Sequence, residues 1–196
     1  MLELVLCIAQ PRRDMKPLAK QLIDKFGSYA NVISASPDEL ASVDGVKETT
    51  IATFKVIHEA AKRLARAEIK GRHVLTSWQA VLDYCRTSMG REHNEQFRVF
   101  FLDRKNALIA DEAQQKGTVD QTAVYPREVV KRALELGASA IIMAHNHPSG
   151  DTTPSRGDID MTRQVKEACE KIGIAVHDHV IVSRSGTTSF KSLGLL

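Results

Sequence analysis

The stretch Ala144-His145-Asn146-His147-Pro148-Ser149-Gly150-Asp151-Thr152-Thr153-Pro154-Ser155-Arg156-Gly157-Asp158 runs from the end of an apolar strand to the start of a helix, and the turn between them gathers two histidines, serines and aspartates. Neutral imidazoles and a carboxylate are the usual protein ligands of catalytic zinc, which keeps three of them and leaves one position open for water. His145 and His147 are one residue apart, so in extended backbone their side chains share a face. Pro148 removes a backbone donor and stiffens the exit, while Gly150 permits a sharp turn. Asp158 returns from the first turn of the following helix and offers a third ligand on a rigid element. A purely structural reading stands beside this one: Ser155-Arg156-Gly157-Asp158 has the S-x-x-D spacing of a capping box. Capping accounts for Ser155 and Asp158. It does not account for a His-x-His immediately upstream, and the metal reading is the stronger.

Working outward, Ala140-Ile141-Ile142-Met143-Ala144 is a short buried strand that carries the motif at its C-terminal end. Pro126 to Leu136 reads as a helix with Val129, Val130, Ala133 and Leu134 as its buried stripe. Gln96-Phe97-Arg98-Val99-Phe100-Phe101-Leu102-Asp103 is a strand, apolar on both faces in its second half and therefore interior. The turn Arg104-Lys105-Asn106 makes the next strand, Ala107 to Val119, antiparallel to it. After the motif come a helix from Ser155 to Ile172, a strand from Ile174 to Val182, and a hairpin partner in Gly186-Thr187-Thr188-Ser189-Phe190. Ahead of these elements lies a helix with Trp78, Val81, Leu82 and Cys85 on its apolar face and Ser77 as its cap. Strands and helices alternating around a mixed sheet predict an α/β domain over residues 71–196.

Residues 1–70 read as a small all-α domain. Leu18, Leu22 and Phe26 form one stripe, with Gly27 as the stop. Ser36-Pro37-Asp38-Glu39 predicts a capped helix start, and a long helical pattern runs to about Ala67. The turn Val43-Asp44-Gly45-Val46-Lys47 resembles a helix-hairpin-helix element, which offers backbone N–H groups to nucleic-acid phosphates. Lys47 stands where such hairpins usually have a second glycine, and its β-carbon obstructs close backbone approach. A helical hairpin used only for packing is the alternative.

Composition sets the outer bounds. A chain of 196 residues with 43% hydrophobic and 26% charged residues is an ordinary globular protein. The formal charge of +3 is too small to imply nucleic-acid binding for the whole chain, although Lys55, Lys62, Arg63, Arg66, Lys70, Arg72 and His73 crowd into the first third. Cys7, Cys85 and Cys169 form no CxxC pair, so buried, reduced thiols in a cytoplasmic protein are expected. No signal-peptide pattern and no apolar run long enough to cross a bilayer is visible. The chain opens abruptly in a helical pattern, Met1 to Leu6, and a natural start upstream of it is expected.

His145-x-His147-Pro148, seven residues to Ser155 and two more to Asp158 resemble the H-x-H-x7-S-x2-D signature of the JAMM (MPN+) metalloproteases. Phe101-Leu102-Asp103, Tyr125-Pro126-Arg127-Glu128, Ala144 to Gly150 and Asp178-His179 resemble the bacterial RadC-like branch of that fold. The resemblance extends over essentially the whole chain. It implies a mixed-sheet JAMM/MPN domain, layered like cytidine deaminases, and a Zn2+-dependent metallopeptidase or isopeptidase acting on protein or peptide substrates. In that scheme His145, His147 and Asp158 hold the metal, and Ser155 donates to the oxyanion of the tetrahedral intermediate. An upstream glutamate accepts the proton of the zinc-bound water. Glu95 fits this role because it shares strand parity with Phe97, Val99 and Phe101; Glu92 is the alternative. His177-Asp178-His179 is a second His-x-His without a third ligand at useful spacing, and Asp178 or His179 is a candidate to support the first site. His58-Glu59-Ala60-Ala61-Lys62 begins like H-E-x-x-H but ends in a lysine that cannot ligate. The competing functional reading is a DNA-associated accessory protein that binds through residues 1–70. A nuclease is less favoured, because one three-ligand site lacks the paired metals common in phosphodiester cleavage.

Overall fold

The computed structural model describes residues 1–70, 73, 74, 76–116 and 124–196. The chain divides into two units, Met1–Leu64 and Ala65–Leu196. In the first, helices α1 (Leu2–Ala9), α2 (Lys16–Phe26), α3 (Tyr29–Ser34), α4 (Pro37–Ala41) and the greater part of α5 (Glu48–Ile69) follow one another. Leu6, Leu22, Val32, Leu40 and Phe54 fill their shared core. Gly27 ends α2 in the left-handed region at φ +81°, where a β-carbon would be strained. Ser36 and Glu39 form both halves of the expected capping box on α4. Helix α3, 6 residues long and capped by Ser28, is too short to announce itself by a hydrophobic period.

The expectation of three buried thiols is corrected at Cys7, which is exposed, while Cys85 and Cys169 are buried. A basic surface on α5 is partly spoken for: Lys55 donates to the carbonyl of Ala35, Arg63 pairs with Glu59, and Arg66 pairs with Asp111. Arg72 lies outside the described residues. No helix among the described residues is long and apolar enough to cross a membrane.

The second unit is built on a 5-stranded sheet in the order β2-β1-β3-β4-β5. Its strands are β1 (Gln96–Leu102), β2 (Leu108–Lys116), β3 (Ala140–Asn146), β4 (Ala175–Val182) and β5 (Thr187–Ser189). β1 pairs antiparallel with both β2 and β3; β3 and β4 are parallel; β5 returns antiparallel on β4. The sheet is therefore mixed, and the chain is α/β with a helical region ahead of it. β2 is described only to Lys116, so the expected continuation to Val119 falls outside the described residues.

Helices cover both faces. Helix α6 (Trp78–Met89) lies on one, where Val81, Cys85 and Met89 pack with Phe100, Leu102, Ile142 and Val182. Helices α7 (Pro126–Glu135) and α8 (Arg156–Glu170) lie on the other, where Val129, Ala133, Val165 and Cys169 pack with Phe97, Phe101, Ile141 and Met143. Strand alternation sends Phe100 and Phe101 to opposite cores. Each is fully buried, a contribution of roughly 1.5–3 kcal/mol apiece. All seven residues of β3 are buried, as a strand sandwiched between helical layers must be. Two local readings fail in this unit. Ser77 precedes α6 but makes no side-chain capping bond. Leu134 on α7 is 59% exposed, so the buried stripe is narrower than the run Val129, Val130, Ala133, Leu134 suggested.

Candidate metal centre

Strand parity brings the chemistry to one place. Ile141 and Met143 face the α7/α8 core, so His145, two residues further, faces the same side at the C-terminal end of β3. His145 pairs with Phe97 across the antiparallel ladder. Carrying that register one pair further on the same face sets Glu95 across from His147. Helix α8 starts beneath this edge with Ser155 as its N-cap: Ser155 Oγ accepts from the Asp158 N–H at 3.1 Å, and Asp158 Oδ2 accepts from the Ser155 N–H at 2.7 Å. The capping box is thus real, and it aims the Asp158 carboxylate at the histidines rather than replacing that contact.

Glu95, His145, His147 and Asp158 each present one ligand atom within 4.8 Å of the others. His145 Nε2 lies 2.9 Å from His147 Nε2 and 3.2 Å from Asp158 Oδ1, and His147 Nε2 lies 3.5 Å from Asp158 Oδ2. Donors bound tetrahedrally about 2.0–2.1 Å from one ion stand roughly 3.3 Å apart. The three observed separations bracket that figure, so these side chains fit a single small cation. Glu95 Oε1 is further off, 4.0 Å from His145 Nε2. Glu95 rather than Glu92 joins the group.

The electrostatics match the arrangement. Burial pushes the Asp158 carboxyl upward, but its contacts with the His145 and His147 rings outweigh that and hold the group well below the usual carboxylate range. His147 is shifted upward, chiefly by its bond to Asp158. Burial raises the Glu95 carboxyl, partly offset by His145. In the metal-free protein the raised pKa of His147 means that its pairing with Asp158 stabilises the fold fully below about pH 6.5 and is lost as pH rises through the folded-state value. The stability advantage of metal-free wild type over metal-free His147→Ala, read from urea midpoints, should therefore shrink from pH 6 to pH 9. An advantage that grows with pH would contradict this.

Residues 75–195 match the family described as RadC-like JAB domain. The chain belongs to that family. It is 56% identical over its whole length to a UPF0758 protein of Rhodobacter capsulatus, covering 92% of that protein. It is 55% identical over its whole length to a UPF0758 protein of Ruegeria pomeroyi, covering 88% of that one.

Other residues of this RadC-like JAB domain support the group; the sequence singles out His179 as a candidate, whereas Asn146 and Thr162 carry no such signal. Asn146, between the two histidines and almost fully buried, accepts from the Gln96 N–H at 2.7 Å and donates to the carbonyls of Glu92 and Asn94. It ties the segment carrying Glu95 to the strand carrying His145. His147 Nδ1 bonds the Asp151 carbonyl at 2.7 Å, which leaves Nε2 facing the group. His145 Nδ1 meets His179 Nε2 at 2.8 Å, and His179 Nδ1 meets Thr162 Oγ1 at 2.6 Å. Burial drives the pKa of His179 well down, so its ring is neutral.

Of the pair Asp178 and His179, His179 is the one that reaches the group. The β3–β4 register shifts between Ile141 and Ile142, whose partners are Val176 and Asp178, and this irregularity re-aims the following residues. Asp178 instead accepts from Ser189 Oγ and from the Lys191 N–H. His177 bonds Asn106. The second His-x-His is thus split between two unrelated tasks.

Proposed function

We propose that this protein is a zinc-dependent metallohydrolase that cleaves amide bonds in protein or peptide substrates, with peptide and isopeptide bonds as the substrate class. The reading is carried by the convergence of Glu95, His145, His147 and Asp158 within 4.8 Å of one another in a RadC-like JAB domain. Imidazole nitrogens suit zinc, whereas magnesium and calcium favour shells of oxygen. Two neutral imidazoles and one carboxylate leave the ion a net positive charge. When bound there, zinc supplies a Lewis acid that polarises the scissile carbonyl and acidifies water.

The chain's own residues supply the remainder. Glu95 stands off from the three ligands with a carboxyl raised by burial, which suits a base that takes a proton from the attacking water and returns it to the leaving amine. Ser155 Oγ uses a lone pair to cap α8, so its hydroxyl hydrogen is available to donate to the oxyanion of the tetrahedral intermediate. His145, held under Phe97, and Asp158, held by the helix cap, fix two ligands on rigid elements. Among the described residues this is the sole metal-capable group, which favours amide over phosphodiester cleavage by paired ions.

The test is metal analysis of the purified protein alongside cleavage of a peptide library that includes isopeptide-linked members. Stoichiometric zinc and chelator-sensitive cleavage are expected. A protein that neither retains nor binds zinc would overturn the reading.

A further inference from the structure

We infer that Thr162 and His179 are positioning residues that hold His145 in its metal-binding tautomer, an inference that rests on the metal reading above. They lie in a hydrogen-bonded chain that leaves one proposed ligand and ends on the backbone of another: His145 Nδ1 to His179 Nε2, His179 Nδ1 to Thr162 Oγ1, and Thr162 Oγ1 to the carbonyl of Asp158.

The direction of this chain is set from its far end. Thr162 Oγ1 and the Asp158 carbonyl oxygen are 2.5 Å apart, a separation that requires a hydrogen between them. A carbonyl only accepts, so that hydrogen is the threonine's. Having donated its single hydrogen, the hydroxyl meets His179 Nδ1 as an acceptor, and Nδ1 therefore carries the proton of the His179 ring. A neutral imidazole protonated at Nδ1 presents a bare lone pair at Nε2, which accepts from His145 Nδ1. His145 then has its own lone pair at Nε2, the nitrogen that faces His147 and Asp158.

The geometry leaves the intermediate ring little freedom. His179 is fully buried, stacked on Phe190 with centroids 4.5 Å apart and set edge-on to Phe97 at 5.6 Å. Thr162 is buried on α8 one turn beyond Asp158, so the helix that supplies the carboxylate ligand also supplies the hydroxyl that orients the histidine ligand. A contest at His145 gives the chain a task. In metal-free protein the Asp158 carboxylate, 3.2 Å from Nε2, draws the proton to that nitrogen, where it blocks the ligand lone pair. The contact with His179, at 2.8 Å, draws it to Nδ1.

Histidine ring 15N NMR on the metal-free full chain at pH 8 reads the contest directly. Wild type should show His145 as the Nδ1–H tautomer, and Thr162→Val should move it toward Nε2–H. Thr162→Val should also bind zinc about 10–100-fold more weakly in competition with a chromophoric chelator, because His179 then no longer holds its proton at Nδ1 and His145 loses its outer acceptor. Thr162→Ser, which keeps the hydroxyl, should restore affinity to within about threefold of wild type, well short of that loss. The inference is overturned if wild-type His145 is the Nε2–H tautomer, or if Thr162→Val binds zinc like wild type and only melts earlier. It is also overturned if Thr162→Ser is as impaired as Thr162→Val. Wild type that binds no zinc while His145 is Nδ1–H would instead count against the metal reading, so the two failures are distinguishable.

Discussion

Glu95→Gln should lower hydrolysis by about 10²–10⁴-fold, the usual worth of a general base, while zinc content stays at the wild-type level. Both halves of this result matter. Glutamine is nearly isosteric and remains neutral, so it can sit where Glu95 sits but cannot accept a proton. The three close contacts, 2.9, 3.2 and 3.5 Å, are among His145, His147 and Asp158, and Glu95 stands outside them at 4.0 Å from His145. Removing its charge therefore leaves the ligand set whole. Metal content by elemental analysis and turnover on a cleaved library peptide check the two halves. Loss of zinc in Glu95→Gln would make Glu95 a ligand; wild-type turnover would remove it from the proton path. The corresponding Glu92→Gln change should leave turnover within about threefold, far inside the range expected for a base, since it is the backbone carbonyl of Glu92 that serves Asn146.

The opposite pattern is expected at Asp158. Asp158→Asn should weaken zinc binding by more than about 100-fold, beyond the 10–100-fold that outer partners command, and activity should fall with occupancy. The amide oxygen of asparagine can still accept from the Ser155 N–H, so the helix start stays capped while the anionic ligand is lost. Asp158→Ala removes both functions and should be less stable than Asp158→Asn by about 1 kcal/mol, the typical worth of a capping bond. Chelator competition and urea midpoints of the two variants separate ligand from cap. Equal zinc affinity for Asp158→Asn and wild type would show that Asp158 only caps.

The clustering of His145, His147 and Asp158 was legible in the sequence because its spacing is enforced by local geometry. His145 and His147 share a face in any extended backbone, and Ser155 and Asp158 share the first turn of any helix that begins there. The unbroken apolar runs of β1 and β3 likewise marked strands covered on both faces, and the mixed sheet followed. Glu95 was harder. Its separation from the histidines by some fifty residues is closed only by the antiparallel β1–β3 register, and without that register strand parity favours Glu95 but leaves Glu92 open as the alternative. The supporting residues were beyond reach for a different reason. Whether Asp178 or His179 turns toward the site depends on a register shift in β4 that no periodicity encodes. Thr162 reads as one more polar residue on an amphipathic helix, and α3 is too short to show a hydrophobic period. The narrower stripe of α7 has the same origin. Helical periodicity shows which apolar residues share a face, not how much of that face the neighbouring layer covers.

The Asn146 side chain directs both its amide group and its carbonyl oxygen to the Glu92–Gln96 segment. That segment cannot drift without stranding buried polar groups, each costing about 1–3 kcal/mol. Under the proposed mechanism this removes a cheap half-assembled form in which an ion is seated and Glu95 is adrift. An ion held without its base would polarise whatever reached it and finish nothing. With one side chain, set between His145 and His147, the fold ties the Glu95 segment to the strand edge.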